Sequence, residues 1–116
     1  MEKVIIAKAK FVKGSPRKMR QISDAIKKLS VVDAIAQLKV MPKRFAHTIL
    51  LVYLQAVANA KNNFKISPDL LTVADLQIQE GPRFKRRDSH AHGARFDSGV
   101  RHKRQSHIIL KLAVKK

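Results

Sequence analysis

The chain has 116 residues, of which 25 are Lys or Arg and 8 are Asp or Glu, so its formal net charge is +17. Hydrophobic residues make up 45% of the sequence, which is enough for one small domain and excludes a wholly disordered basic tail. Cysteine is absent, which excludes disulfides, thiolate catalysis and Cys-ligated zinc.

The first predicted element is a β-strand over residues 4–12, where apolar and polar side chains alternate. The apolar face of this strand is predicted to consist of Ile5, Ala7, Ala9 and Phe11. Lys8 and Lys10 point to the opposite face, because successive side chains of a strand alternate. One face is therefore expected to pack against the core and the other to meet anions.

Three helices are predicted after the strand. Ser15-Pro16 is a helix start, since Pro suits the first helical position and the Ser hydroxyl can cap. An apolar stripe follows at Met19, Ile22, Ile26 and Leu29. A short second helix begins with a capping box at Ser30–Asp33. The third is predicted to begin at Pro42 and to end near Asn62-Asn63, and its apolar surface runs almost all round.

The rest of the chain predicts a long β-hairpin. A turn at Ser67–Asp69 precedes a strand over residues 72–80, and a clean alternation returns between Ser106 and Val114. The apolar positions of the earlier strand are Ala74, Leu76 and Ile78. Residues 83–105 carry only three sizeable apolar side chains, so the middle of the hairpin cannot bury a face and must project. We expect one domain, with a globular part formed by residues 1–82 and 105–116 and a projecting hairpin over residues 83–104.

No segment predicts a membrane span. The longest apolar run, Ile49–Leu54, is far shorter than the ~20 residues that a spanning helix needs. A secretory signal is not recognisable either, because Lys8 interrupts the first apolar run. We expect no membrane partner, and a location in the cytoplasm or, after processing, in an organelle matrix.

Positive charge is concentrated in the last third of the chain. Residues 83–116 contain 11 basic and 2 acidic side chains, a net charge of +9. Such a segment repels itself and favours a polyanionic partner, because phosphate neutralisation by Lys and Arg releases condensed counterions. Nucleic acid is the first candidate partner and an anionic membrane the second.

A second basic region joins the first strand to the first helix. It consists of Lys8, Lys10, Lys13, Arg17, Lys18 and Arg20. Because the strand runs directly into the helix, these residues are predicted to form one continuous phosphate-binding surface, with a solvated basic face as the alternative. Aromatic residues make up only 5% of the sequence, which favours recognition of folded RNA by shape and phosphate over a stacking platform for single strands.

The sequence provides little support for a catalytic site or a metal site. The glycines fit no phosphate-loop or dinucleotide motif, and Ser106 and His107 are neighbours on a strand, so their side chains face opposite ways. The best metal candidates are His90, His92 and His102, with Asp88 and Asp97 as nuclease-type carboxylates, but nearby arginines disfavour a dication. We expect no cofactor and no enzyme. The two alternatives are a DNA-compacting nucleic-acid chaperone and a metal-dependent nuclease.

A set of segments occurs in a characteristic order along the chain: Ala7–Ala9, Ser15–Lys18, Ala56–Asn63, Glu80–Pro82, Lys85-Arg86 and Lys103–Ile108. This ordered set resembles the universal large-subunit ribosomal protein family called L twenty-two in bacteria. The resemblance implies three helices on a small three-stranded antiparallel sheet, an α+β fold with a long, extended, basic hairpin. It also implies a structural role in the large ribosomal subunit, where rRNA segments are bridged during assembly and the hairpin extends toward the nascent-peptide tunnel.

The resemblance also suggests which residues contact rRNA. Ser15, Pro16, Arg17 and Lys18 would dock rRNA at a helix start, and Asn59 would support the nearby backbone or rRNA. The hairpin would contribute Arg83, Lys85, Arg86, Arg87, Arg95, Arg101, Lys103, Arg104 and His107. The implied partners are large-subunit rRNA, neighbouring ribosomal proteins and the nascent peptide, and no homo-oligomer is expected.

The tip of the hairpin departs from the family pattern. It is longer than usual and carries two acidic residues, Asp88 and Asp97. The residues expected at the tip, where tunnel contacts occur in the family, are His90, Ala91, His92, Gly93 and Ala94.

Overall fold

Three helices pack on a three-stranded antiparallel sheet in a computed structural model that describes residues 4–88 and 99–114. In chain order the elements are β1 (Val4–Lys13), α1 (Pro16–Ile26), α2 (Val31–Val40), α3 (Ala46–Phe64), a short 3₁₀ helix (Pro68–Leu70), β2 (Leu71–Asp88) and β3 (Gly99–Val114). The predicted α+β fold is confirmed.

The last strand in sequence lies in the middle of the sheet. The strand order is β1-β3-β2, so β3 pairs with both neighbours. Its alternating residues Ile108, Leu110 and Leu112 are fully buried and lie opposite apolar side chains of β1 and β2. The apolar stripe of α1 and one side of α3 cover this face. The predicted alternation of β3 and the stripe of α1 are thereby confirmed up to Ile26, where α1 ends.

The long hairpin has two parts with different surroundings. From Leu71↔Val114 to Glu80↔Ser106, β2 and β3 contribute to the core. Beyond a register shift between Glu80 and Arg83, every residue from Arg83 to Arg87 and from Gly99 to Arg104 is exposed. At the shift, a Cβ on Gly81 would lie 2.9 Å from the backbone oxygen of Gln105, so only glycine permits this close approach.

One residue in each of two predicted strand faces is wrongly placed, because both strands contain bulges. The register of β1 shifts between Ala9 and Val12, and Phe11 has φ +57° and is 60% exposed. The register of β2 shifts between Val73 and Asp75, and Ala74 is exposed. A bulge places two residues of one strand opposite one residue of its partner, so simple alternation misplaces a side chain at the bulge. Leu76 and Ile78, which follow the bulge of β2, are buried as predicted.

The predicted start of the third helix and the predicted capping bond of the first helix also need correction. The third helix begins at Ala46 and not at Pro42, because Met41 is extended and the next residues form a turn in which Ala46 N–H donates to Lys43 O. Ser15 stands at the N-cap of α1, as predicted, but its side chain makes no capping hydrogen bond. The predicted cap of α2 is confirmed, since Ser30 Oγ accepts from Asp33 N–H.

A junction at Gly14 joins β1, α1 and β3. Gly14 N–H donates to Arg104 O at 3.1 Å, and the buried Ser106 hydroxyl donates to Gly14 O at 2.9 Å. Gly14 has φ +153°, and a Cβ there would lie 2.5 Å from Phe45 Cε1 and 2.6 Å from Met19 Cε. The position therefore excludes any larger residue.

Gly14→Ala is expected to lower the free energy of unfolding by about 1–3 kcal/mol, because the added methyl must displace Phe45 and Met19. Urea unfolding followed by circular dichroism measures the change. Lys13→Ala, at the exposed preceding position, is the control and should change stability by less than about 0.5 kcal/mol. Equal stability of the two variants would contradict this account of Gly14.

The one tyrosine lies at the centre of the core. Tyr53 is fully buried, and within the described part of the chain its hydroxyl has no hydrogen-bond partner. Burial raises the pKa of this hydroxyl to about 12, because the phenolate would lose its hydration. At neutral pH this unpaired buried hydroxyl does not stabilise the fold, because its lost hydration is not replaced by a hydrogen bond.

Tyr53→Phe is expected to keep or slightly raise stability at pH 7 and to resist alkali better than the parent protein. Above pH 10 the unfolded tyrosine ionises while the folded one stays protonated to about pH 12, so the parent loses stability as the pH rises. Between pH 8 and pH 11 the difference in the free energy of unfolding between Tyr53→Phe and the parent should change by about 1.4 kcal/mol in favour of the variant. Unfolding curves at both pH values measure it, and a constant difference would contradict the prediction.

Candidate nucleic-acid interface

The N-terminus of α1 lies beside the base of the hairpin and borders a basic cleft. This α1 cleft, of about 310 Å³, is lined by Ser15, Pro16, Arg17, Arg20, Glu80, Gly81, Arg83, Arg104 and Gln105. The first turn of α1 contains no acidic residue, and Ser15 does not cap it. Its backbone N–H groups and the positive end of the helix dipole therefore favour an anion at the same place as the arginines.

A second cleft lies on the other side of the hairpin base. This Phe84 cleft, of about 620 Å³, is lined by Lys13, Gly14, Ser15, Lys18, Arg44, Phe45, Phe84, Arg86, His102, Lys103, Arg104 and Gln105. Six of these described residues are Lys or Arg and none is acidic. Because like charges repel when they are gathered in one concavity, this cleft favours a polyanion.

The two clefts meet at the Gly14 junction. Ser15, Arg104 and Gln105 line both of them, so the start of α1 and the base of the hairpin present one basic surface. Many of the site residues predicted from the sequence line this surface. They are Lys13, Ser15, Pro16, Arg17, Lys18, Arg20, Arg83, Arg86, Lys103 and Arg104.

Other predicted residues lie elsewhere. Lys8 and Lys10 are exposed on β1 and line neither cleft, and Asn59 is half-buried on α3. The exposed stem of the hairpin carries Lys85, Arg87 and Arg101. Arg95 and the expected tip residues 90–94 lie outside the described residues.

Arg20 has a structural contact that the sequence did not suggest. Its Nε and Nη2 atoms donate to the Ile78 carbonyl at 3.2 and 2.9 Å. Strand β2 lies at an edge of the sheet, and Arg20 gives a backbone carbonyl of this edge strand two charge-assisted hydrogen bonds. The guanidinium thus ties α1 to β2 while it also lines the α1 cleft.

His107 is held in one tautomer by the bulge of β1. The N–H of Phe11 donates to His107 Nδ1 at 3.0 Å, and the two rings meet edge to face at 5.0 Å. A neutral imidazole that accepts at Nδ1 carries its proton on Nε2, which leaves Nε2–H as a donor. Ser106 and His107 do face opposite ways, as predicted, since Ser106 is buried and bonded to Gly14.

Arg44 and Phe45 are site residues that sequence reasoning missed. They lie in the turn before α3, where Arg44 stacks over Phe45 with its guanidinium carbon 5.5 Å from the ring centroid. The sequence predicted a helix from Pro42 onward, so it did not predict this turn. The available signal was the Lys43-Arg44 pair directly after a proline.

The structure provides little support for the alternative sites. Across residues 4–88 and 99–114, no three His, Asp or Glu side chains come together as metal ligands do. The proposed ligands His90, His92 and Asp97 lie outside this range. None of the described helices has the length and hydropathy required to cross a membrane.

Arg20→Gln is expected to lower the free energy of unfolding by about 1–2 kcal/mol, because the Ile78 carbonyl loses both of its charged donors. Arg17→Gln removes the same charge from the same helix and is the matched control, with an expected change below about 0.5 kcal/mol. Thermal or urea unfolding compares them. Equal losses would show that the Arg20 contact does not stabilise the fold.

Comparison with known proteins agrees with this architecture. Residues 7–113 match the family described as Ribosomal protein L22p/L17e. A protein of Desulfitobacterium hafniense (strain Y51) named large ribosomal subunit protein uL22 is 41% identical over 108 residues, which cover 93% of this chain and 92% of that protein. One of the same name from Petrotoga mobilis is 34% identical over 111 residues, covering 94% of this chain and 72% of the relative. These are structural ribosomal components, in agreement with the expectation of a non-enzyme, and the chain belongs to the ribosomal protein L22p/L17e family.

Proposed function

We propose that this protein is a structural constituent of the large ribosomal subunit that binds large-subunit rRNA through the surface formed by the α1 cleft and the Phe84 cleft. The family assignment supports the ribosomal location. The observation that carries the rRNA proposal is the convergence of two basic clefts on the Gly14 junction, where Ser15, Arg104 and Gln105 belong to both.

The chemistry of this surface suits phosphate in two ways. The uncapped start of α1 offers backbone N–H groups and a helix dipole, and the arginines beside it offer charge and directed donors. Contacts of this kind fix a protein on folded RNA without reading base edges. The role of the protein is to hold RNA segments in place, and this role supports subunit assembly.

The hairpin extends this surface away from the globular part. We propose that residues 83–104 form the projection and residues 1–82 and 105–116 the globular part. In the stem, Arg83 lies opposite Arg104 and Arg86 opposite Arg101, so like charges face each other in the pairing register. Like-charged pairs of this kind are unfavourable in a free sheet, and bound phosphates offset their repulsion.

Further partners follow from the family resemblance. We propose that the hairpin extends toward the peptide exit tunnel, that residues 90–94 reach the nascent peptide, and that the globular part contacts neighbouring ribosomal proteins. The protein then acts within the ribosome.

The test is equilibrium binding to large-subunit rRNA and to a mass-matched duplex DNA across a salt series, with and without EDTA. A strong preference for intact rRNA near physiological salt is expected. Equal binding that collapses with salt would favour the DNA-compacting alternative, and EDTA-sensitive cleavage would favour the nuclease.

Lys18→Gln and Arg104→Gln are each expected to reduce the salt dependence of rRNA binding. Each phosphate contact contributes ~0.7–0.9 to the slope of log affinity against log salt, so each variant should lower the slope by about that amount. Lys61→Gln removes an equal charge from the exposed surface of α3, lines neither cleft and should leave the slope unchanged. Three equal slope changes would argue against a localised interface.

A further inference from the structure

The Phe84 cleft combines features that the α1 cleft lacks. It contains two phenylalanine rings among its cations, and its volume of about 620 Å³ is twice the 310 Å³ of the α1 cleft. A surface that only neutralises phosphates needs neither a concavity of this size nor an aromatic lining.

The two rings of the cleft have different surroundings. Phe45 is covered on one face by Arg44, and its edge lies against Gly14. Phe84 is 45% exposed, at the base of the hairpin, where it lies opposite Lys103. Phe84 is therefore the ring with a free surface, and Phe45 forms the wall that shapes the cleft.

Cations that can bind phosphate line the same cleft as Phe84. Lys103 lies across the pairing register, and Arg44, Arg86 and Lys18 line the same cleft. An aromatic ring in a cleft lined by cations suits a ligand that has one flat apolar part and one anionic part. A nucleotide has these two parts, and its base can stack on phenylalanine while its phosphate binds Lys or Arg.

We propose that the Phe84 cleft receives one unpaired nucleotide of the bound RNA, with its base stacked on Phe84 and its flanking phosphates bound by the lysines and arginines of the cleft. This inference rests on the proposed RNA-binding function. The nucleotide must be unpaired, because a base within a duplex presents only its edges and its faces are covered by its neighbours.

The sequence provides a direct reporter, because it contains no tryptophan. Phe84→Trp places a single indole in the cleft, and Phe64→Trp places one at the end of α3, where it lines neither cleft. Both are titrated with large-subunit rRNA and with a fully paired RNA duplex. Stacking on a base is expected to quench the indole of Phe84→Trp with rRNA but not with the duplex, and Phe64→Trp should not respond.

The affinity of the protein for rRNA is the second quantity to be measured. Phe84→Leu is expected to weaken rRNA binding about 5-fold or more without changing the salt slope, because a stacking contact is lost and no charge is removed. Phe64→Leu is the matched control and should bind as the parent does. Unfolding midpoints identify any variant whose fold is damaged, and Phe84→Trp reports independently of Phe84→Leu.

The outcomes separate this proposal from the function on which it rests. If rRNA binds with its salt slope intact, but Phe84→Trp is not quenched and Phe84→Leu binds as Phe64→Leu does, the nucleotide site is wrong and the rRNA-binding function stands. Equal quenching by the paired duplex also overturns the site. If the parent protein shows no preference for rRNA over duplex DNA, the proposed function itself fails.

Discussion

Two hydrogen bonds hold Gly14 against β3, one through its N–H to Arg104 and one through its carbonyl to the Ser106 hydroxyl. The chain leaves β1 at this point and enters α1 two residues later, so these bonds determine where the first helix starts relative to the hairpin. Both basic clefts open from this junction. The candidate interface therefore depends on a glycine and a buried serine that carry no charge, because the cations of both clefts lie around them.

The molecule separates its apolar and cationic parts along one pair of strands. The end of β2 and β3 that lies under the helices supplies the core, while the end beyond Glu80 is exposed and basic. Overall dimensions of 64 × 26 × 19 Å reflect this extension. The exposed stem gains stability from backbone pairing but loses some to opposed like charges, so its side chains do not favour the stability of the free protein.

Periodic patterns predicted most of the fold because burial is periodic in regular elements. The alternation of β3 and the stripe of Met19, Ile22 and Ile26 are observed as expected. Phe11 could not be placed correctly, because a bulge depends on the partner strand and leaves no local pattern. Arg44 was not predicted as a site residue for a similar reason, because tertiary packing places it beside the hairpin. The basic character of the hairpin itself was already evident from its composition.

The central position of β3 has a consequence for how the chain acquires its structure. Strands β1 and β2 do not neighbour each other in the sheet, and each needs β3, which follows both in the sequence. Ile5 meets Leu112 across nearly the whole chain. During N- to C-terminal synthesis neither β1 nor β2 has a partner in the sheet until β3 emerges, so the core lacks Ile108, Leu110 and Leu112 until then. Pairing of this sheet is thus a late step in the synthesis of the chain.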